Sequence, residues 1–164
     1  MINKTYFIIC LVALQLMAGC RPKTDIDRID ALKEQVTQDV KTLNDLNAKT
    51  FIQLQKDFVS CDSSLQFLSE KEVEAAFTKL QLVDAYIQQF NKTYPVMQAE
   101  MDSSLTRLEL LRTDAETHYL PDSLVASYLE DETRQVEKLN SQVEYFKDRL
   151  GNCRKDLDGL KILK

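Results

Sequence analysis

A seven-residue repeat of hydrophobic residues is the feature that most constrains how this chain can fold. Near the C-terminus the repeat forms two rows: Leu129, Val136, Val143, Leu150 and Leu157, and Glu132, Leu139, Phe146, Cys153 and Leu160. A strict seven-residue spacing keeps both rows on one face of an α-helix and implies left-handed supercoiling around a partner. Pro121 suits a first helical position and Asp122 a first turn, so we expect this helix to begin there and to fray beyond about Leu157.

A second segment carries the same repeat. Its rows are Val73, Leu80, Ile87, Tyr94, Met101, Leu108 and Ala115, and Ala76, Val83, Phe90, Met97, Ser104, Leu111 and His118. A capping box over Ser69–Glu72 with a hydrophobic staple marks its start. Pro95 lies inside this segment and would cost an α-helix about 3 kcal/mol. Because the repeat passes Pro95 without changing phase, we favour one kinked helix over 70–118 rather than two short helices.

An earlier segment predicts a first helix that starts near Thr24 or Asp25, whose side chains can accept hydrogen bonds from first-turn amides. Its apolar residues recur at an average spacing near 3.6: Ile29, Leu32, Val36, Val40, Leu43, Leu46, Phe51, Leu54, Phe58 and Cys61. The chain has only three glycines and three prolines, too few for the turns of a sheet protein. We therefore predict an all-α fold, an elongated antiparallel three-helix coiled-coil bundle over residues 25–160. The alternatives are a four-helix bundle broken at Pro95 and a dimer that completes the hydrophobic faces.

The N-terminus has a different composition. Lys4 precedes an apolar run, Tyr6–Met17, which is too short for a membrane-spanning helix but fits a signal peptide. The sequence Leu16-Met17-Ala18-Gly19-Cys20 that follows resembles the lipobox of bacterial lipoproteins. The resemblance implies that residues 1–19 are a cleaved signal, that Cys20 is acylated, and that residues 20–24 form a lipidated tether. In that family an aspartate after the cysteine often retains the protein in the inner membrane. Arg21 stands there instead, which favours the outer membrane facing the periplasm.

The charge of the chain limits its partners. Removal of residues 1–19 takes away one positive charge, that of Lys4, and changes the formal net charge from −5 to about −6. An acidic chain is repelled by phosphate backbones, so a nucleic acid is not expected as a partner. The expected partners are the membrane, through acyl chains on Cys20, and a protein or a second copy of the chain.

Two cysteines, Cys61 and Cys153, remain in the helical part, both on apolar faces. A disulfide between them would close a large loop and stabilise the fold by about 4–5 kcal/mol in the chain-entropy model. For the two sulfur atoms to meet, residues 62–69 would have to run along the axis of the bundle in an extended conformation. The sequence leaves three states open: this disulfide, two buried thiols, or a bridge between molecules.

No set of residues typical of an active site or a metal site stands out. His118 is the only histidine, and its place near a helix C-terminus fits a boundary residue better than a base or a ligand. The acidic clusters 25–27, 70–74 and 130–132 fit helix first turns or solvated faces better than calcium loops. We therefore expect no catalytic residues, no metal and no cofactor. The sequence favours a non-catalytic, lipid-anchored scaffold or protein-interaction module. A periplasmic carrier or holdase for apolar ligands or unfolded outer-membrane proteins, with a groove at Pro95, Met97 and Met101, is the alternative.

Overall fold

The computed structural model describes residues 24–63 and 69–161, and every regular element in these ranges is helical. Helix α1 spans Asp25–Asp45, a π-helical segment spans Leu46–Phe51, and α2 spans Ile52–Asp62, so that the three form one continuous first arm. Helix α3 spans Glu70–Thr117 and α4 spans Asp122–Lys161. The all-α bundle predicted from the sequence is confirmed.

Contacts between the arms fix their directions. In the first arm, Asp30 binds Arg112 near the end of α3 at 2.9 Å, whereas Asn44, further along, accepts a hydrogen bond from Tyr94 in the middle of α3. The first arm and α3 are therefore antiparallel. Tyr86 of α3 donates to the carbonyl oxygen of Phe146, whereas Arg107, later in α3, pairs with Glu132, earlier in α4, so α3 and α4 are antiparallel as well. At about 1.5 Å per residue, the 48-residue α3 makes a rod about 72 Å long.

The first arm begins where its capping residues predict. The Thr24 side chain accepts a hydrogen bond from the Asp27 amide at 3.2 Å, and the Asp27 carboxylate accepts one from the Thr24 amide at 3.0 Å. This reciprocal pair satisfies two amide groups that have no partner within the helix.

The π-helical segment compensates for an extra residue in the first arm. Ile29, Val36 and Leu43 are buried at a spacing of seven, but the next buried residue, Phe51, lies eight positions after Leu43. A π-turn has i→i+5 hydrogen bonds and accommodates one residue more than an α-turn; here the amide of Ile52 bonds the carbonyl of Asn47. The arm thus follows two seven-residue phases joined by this segment, not the uniform 3.6-residue period expected from the sequence.

Helix α3 passes through Pro95 without a break, which confirms the single long helix and excludes the four-helix alternative. Pro95 faces solvent, and the residues before and after it are held to the first arm. Tyr94 and Gln98 both donate to the Asn44 side chain, at 2.9 and 2.8 Å. These contacts and the burial of Phe90, Met97 and Met101 help to offset the cost of a proline inside a helix.

An aromatic cluster joins the three arms at the level of the π-helical segment. The Phe90 ring lies 4.3 Å from Phe51 of the first arm and 5.2 Å from Phe146 of α4, measured between centroids. Every position of the two rows predicted for α4 is buried. Helix α4 continues through Gly151 and Gly159 to Lys161 and buries Leu160, so fraying beyond Leu157 is not observed.

Candidate functional site

The two ends of the rod are formed by different parts of the chain. Thr24, at the start of α1, lies at the same end as the turn between α3 and α4, because Asp30 pairs with Arg112. Cys61, close to the end of α2, contacts Leu157 at the opposite end. The predicted lipidation residue, Cys20, lies outside the described residues. It precedes Thr24 by four residues, so an extended chain would separate their Cα atoms by at most about 14 Å.

A buried carboxylate, Glu132, forms a polar layer between α3 and α4. Its oxygens accept hydrogen bonds from Nε and Nη2 of Arg107, at 2.7 and 2.9 Å, and from the hydroxyl of Ser104. Ser104 is fully buried, and both it and Glu132 occupy positions of the predicted hydrophobic rows. Arg107 was not predicted, although it follows Ser104 by one helical turn. A polar layer of this kind favours one alignment of α3 on α4.

Ser104 and Glu132 could be two members of a Ser–His–acid triad, but the only histidine, His118, lies far from them. His118 is fourteen residues beyond Ser104 on the same helix, about 21 Å along its axis. His118 is exposed and adopts a left-handed backbone conformation, with φ of 51°. The amide of Tyr119 then bonds the carbonyl of Asp114 at 3.1 Å, the pattern of a Schellman motif. His118 is therefore the boundary residue that its position predicted, with a specific role in ending α3.

A second buried carboxylate, Asp39, lies between α1 and α4. Its Oδ1 accepts a hydrogen bond from Asn140 at 3.0 Å, and its buried Oδ2 has no hydrogen-bond partner among the described residues. Burial raises the pKa of Asp39, and the nearby Glu144 raises it further, while the Asn140 hydrogen bond opposes both. The sequence analysis missed Asp39 because it followed apolar residues only. The spacing of seven from Leu32 and from Leu46 would have found it.

Both predicted cysteine thiols are buried, and in the described residues they are not joined in a disulfide. The Cys61 sulfur lies 3.9 Å from the carbonyl oxygen of Leu157, one helical turn beyond Cys153. Burial raises the pKa of the Cys153 thiol, which disfavours the reactive thiolate. Oxidation to a disulfide stays a prediction.

In the acidic clusters 25–27 and 130–132 most carboxylates make local contacts, but Glu132 is buried and bonds α3, so it does not lie on the solvated face expected from the sequence. Asp27 caps α1, Asp25 pairs with Arg28 at 3.1 Å, and Arg134 pairs with Glu130 at 3.6 Å. Within the described ranges there is no group of three side chains suited to hold a metal ion. The search for membrane spans, restricted to the same residues, finds no helix long and apolar enough.

Three exposed aliphatic side chains of α3 lie on the side of the helix that borders α4. Leu82, Val96 and Leu110 are exposed by 65%, 54% and 62%, and they recur every fourteen residues on one side of the helix. Beside Leu110, an open groove of about 570 Å³ lies between α3 and α4 and includes Leu111, Leu120 and Tyr128. Met97 and Met101 are buried in the core, so they do not form the groove expected at Pro95.

The described residues thus form a rod with two buried polar contacts and with exposed aliphatic side chains beside the groove between α3 and α4. Comparison of the chain with protein-family models, with curated proteins and with solved structures finds no match.

Proposed function

We propose that the chain is a non-catalytic, lipid-anchored protein of the bacterial envelope that acts as a helical scaffold or protein-interaction module. The observation that carries this proposal is the position of Thr24. The lipobox-type sequence ends four residues before it, and Thr24 caps the first arm at one end of an antiparallel rod. Acyl chains on Cys20 would therefore hold the rod by that end, beside the turn between α3 and α4.

The geometry determines which surfaces would meet a partner. With Cys20 in the membrane and the rod upright, the start of α3 at Glu70 would lie about 70 Å from the anchored end. The long sides of the rod would be accessible between these two levels. The outer membrane, facing the periplasm, is the location that Arg21 favours.

Membrane fractionation of the full-length chain tests the anchor. Cys20→Ser removes the thiol that would be acylated, and we expect it to move the protein from the membrane fraction to the periplasmic fraction. Cys10→Ser is the matched control, because Cys10 lies in the expected signal peptide and would not be acylated. Retention of Cys20→Ser in membranes to the same extent as the control would refute lipid anchoring.

One observation favours the carrier or holdase as a second candidate. The groove of about 570 Å³ at Leu110, Leu120 and Tyr128 is large enough for part of an apolar ligand. A fluorescent dye that binds apolar surfaces separates the two functions. A scaffold with a closed core should bind little dye, whereas a carrier should bind it strongly and lose that binding on Leu110→Glu substitution.

A further inference from the structure

The segment that joins α3 to α4, at the same end of the rod as Thr24, is poor in charge. Asp122 is the only acidic or basic residue among the twelve residues 118–129, apart from the neutral His118, whereas charged residues make up 29% of the whole chain. The last twelve residues of α4, at the opposite end, include five charged ones: Arg154, Lys155, Asp156, Asp158 and Lys161. The two ends of the rod therefore offer chemically different surfaces.

Four apolar or aromatic side chains of this segment are exposed, and we call them the apolar cap: Tyr119, Pro121, Leu124 and Tyr128. Tyr119 is exposed by 79% and Tyr128 by 50%. Leu124 precedes Tyr128 by one helical turn, so these two side chains lie on the same side of α4. From the start of α4 at Asp122 to Tyr128 the cap extends about 9 Å along the rod.

The charged side chains beside the cap are largely paired with one another. Arg112 binds Asp30 of the first arm at 2.9 Å and Glu116 at 2.8 Å. Asp25 binds Arg28 at 3.1 Å. The cap itself offers two phenol hydroxyls, an aliphatic side chain and a proline. Such a surface matches a partner that is apolar on the inside and polar on the outside, without a requirement for opposite charge.

We propose that the apolar cap contacts the bilayer that holds the acyl chains of Cys20, with its side chains placed among zwitterionic lipid headgroups. Tyrosine is enriched at membrane–water interfaces, where its ring meets the acyl chains and its hydroxyl meets water. Segments that lie in this interface bury their apolar side to about 5–10 Å, which is the extent of the cap. A cap without basic residues does not favour anionic lipid.

The position of the cap relative to the tether supports this contact, which rests on the proposed lipid anchor. Asp30 is level with Arg112, and the first arm is antiparallel to α3. Thr24, six residues before Asp30, is therefore level with the turn between α3 and α4. Because an extended chain places Thr24 at most about 14 Å from Cys20, the cap can reach the bilayer while the described helices stay folded.

Contact of the cap determines the direction of the rod. A four-residue tether alone would let the rod tilt in any direction, whereas the acyl chains and the cap together attach it at two points and hold it upright. Four side chains bury too little area to bind a freely diffusing protein to lipid. The anchor compensates for this by keeping the cap at a high effective concentration beside the bilayer.

Quenching of a single tryptophan by brominated lipid tests the contact, because the chain contains no tryptophan of its own. The full-length chain with Tyr119→Trp is purified from membranes and placed in phosphatidylcholine vesicles whose acyl chains carry bromine. We expect it to lose most of its emission relative to vesicles without bromine. Phe77→Trp is the matched control, because Phe77 is an exposed aromatic residue, 53%, near the other end of α3, and it should keep its emission.

A charge placed in the cap separates insertion from mere closeness to the membrane. Leu124→Glu, added to the chain with Tyr119→Trp, should restore most of the emission because a carboxylate does not leave water readily. Leu82→Glu is the matched control, since Leu82 is an exposed leucine, 65%, outside the cap, and it should leave the quenching unchanged. Circular dichroism of both variants checks that the helices are intact.

Flotation of the same vesicles distinguishes this proposal from the lipid anchor. Protein that floats with the vesicles without quenching of Tyr119→Trp refutes the contact and leaves the anchor standing; a blue-shifted emission in that case would show that protein, such as a second copy, covers the cap. Equal quenching of Tyr119→Trp and Phe77→Trp also overturns the proposal, because the rod would then lie along the membrane, as does quenching that Leu124→Glu does not reduce. Protein that does not float refutes the anchor and, with it, the contact argued from it.

Discussion

Deletion of Ala48 from the π-helical segment should leave the bundle folded, although a deletion inside a helix is normally severe. Ala48 is exposed, and its removal shortens the interval from Leu43 to Phe51 from eight residues to seven. Phe51, Leu54 and Cys61 would then continue the spacing of Ile29, Val36 and Leu43 on one α-helical face. The change is limited to the replacement of π-type by α-type hydrogen bonds, which we expect to alter the free energy of unfolding by about 1 kcal/mol or less.

Deletion of Ser141 is the matched control, because it removes an exposed residue from the middle of α4. It would rotate the following part of the helix by about 100° relative to the preceding part. Besides Cys153, five buried apolar side chains follow: Val143, Phe146, Leu150, Leu157 and Leu160. At about 1.5–3 kcal/mol for each, their exposure would cost about 8–15 kcal/mol, which equals the whole stability of a typical domain.

Thermal unfolding followed by circular dichroism compares the two deletions in the chain that starts at residue 20 with Cys20→Ser. A change of about 1 kcal/mol corresponds to a shift in Tm of about 2–4 °C for a chain of this size. We expect a shift in that range for the Ala48 deletion and no cooperative transition for the Ser141 deletion. If the Ala48 deletion abolishes the transition as well, the π-helical segment does more than absorb an extra residue, and the reasoning is wrong.

Four further predictions concern single contacts. Asp39→Asn should stabilise the protein at pH 7. Because burial raises the folded-state pKa of Asp39, ionisation of this carboxyl destabilises the wild type as pH rises above about 4. Unfolding measured at several pH values should therefore show that the variant is more stable at pH 7 but not in acid. Arg107→Met should cost about 2 kcal/mol by leaving Glu132 without its ion pair, and Glu132→Leu in the same chain should recover most of that loss in denaturant unfolding. His118→Gly should stabilise by about 0.5–1 kcal/mol because glycine adopts a positive φ without strain, whereas Glu116→Gly inside the last turn of α3 should destabilise by a similar amount. If Cys61 and Cys153 pair in the oxidising periplasm, thiol labelling of denatured protein should give two fewer reactive groups without reductant than with it; equal labelling, with the protein monomeric on a non-reducing gel, would show two buried thiols.

Periodicity predicted the core of this rod well because burial and spacing are directly linked in a helix. Both rows of α4 and the phase of α3 through Pro95 follow from the positions of apolar residues alone. The π-helical segment was missed because an average spacing near 3.6, taken over ten apolar residues, does not reveal the one extra residue between Leu43 and Phe51. Burial of Asp39 was missed because a carboxylate does not count as core in such a pattern.

The candidate site was less accessible from the sequence for a related reason. The pairing of Arg107 with Glu132 joins two helices and depends on their relative alignment, which neither helix specifies by itself. The exposure of Leu82, Val96 and Leu110 was not predicted either, because the sequence analysis followed only the apolar residues of the seven-residue rows.

Pro95 and the π-helical segment lie at the same level along the rod, and this affects where the rod can bend. At this one level, two of the three arms lack regular α-helical hydrogen bonding, and resistance to bending depends on such continuity. We expect the rod to bend more readily at this level than elsewhere, with the packed rings of Phe51, Phe90 and Phe146 at the centre of the bend. If the rod is anchored as proposed, bending near mid-length would move its outer half toward a target while its inner half stays fixed at the membrane.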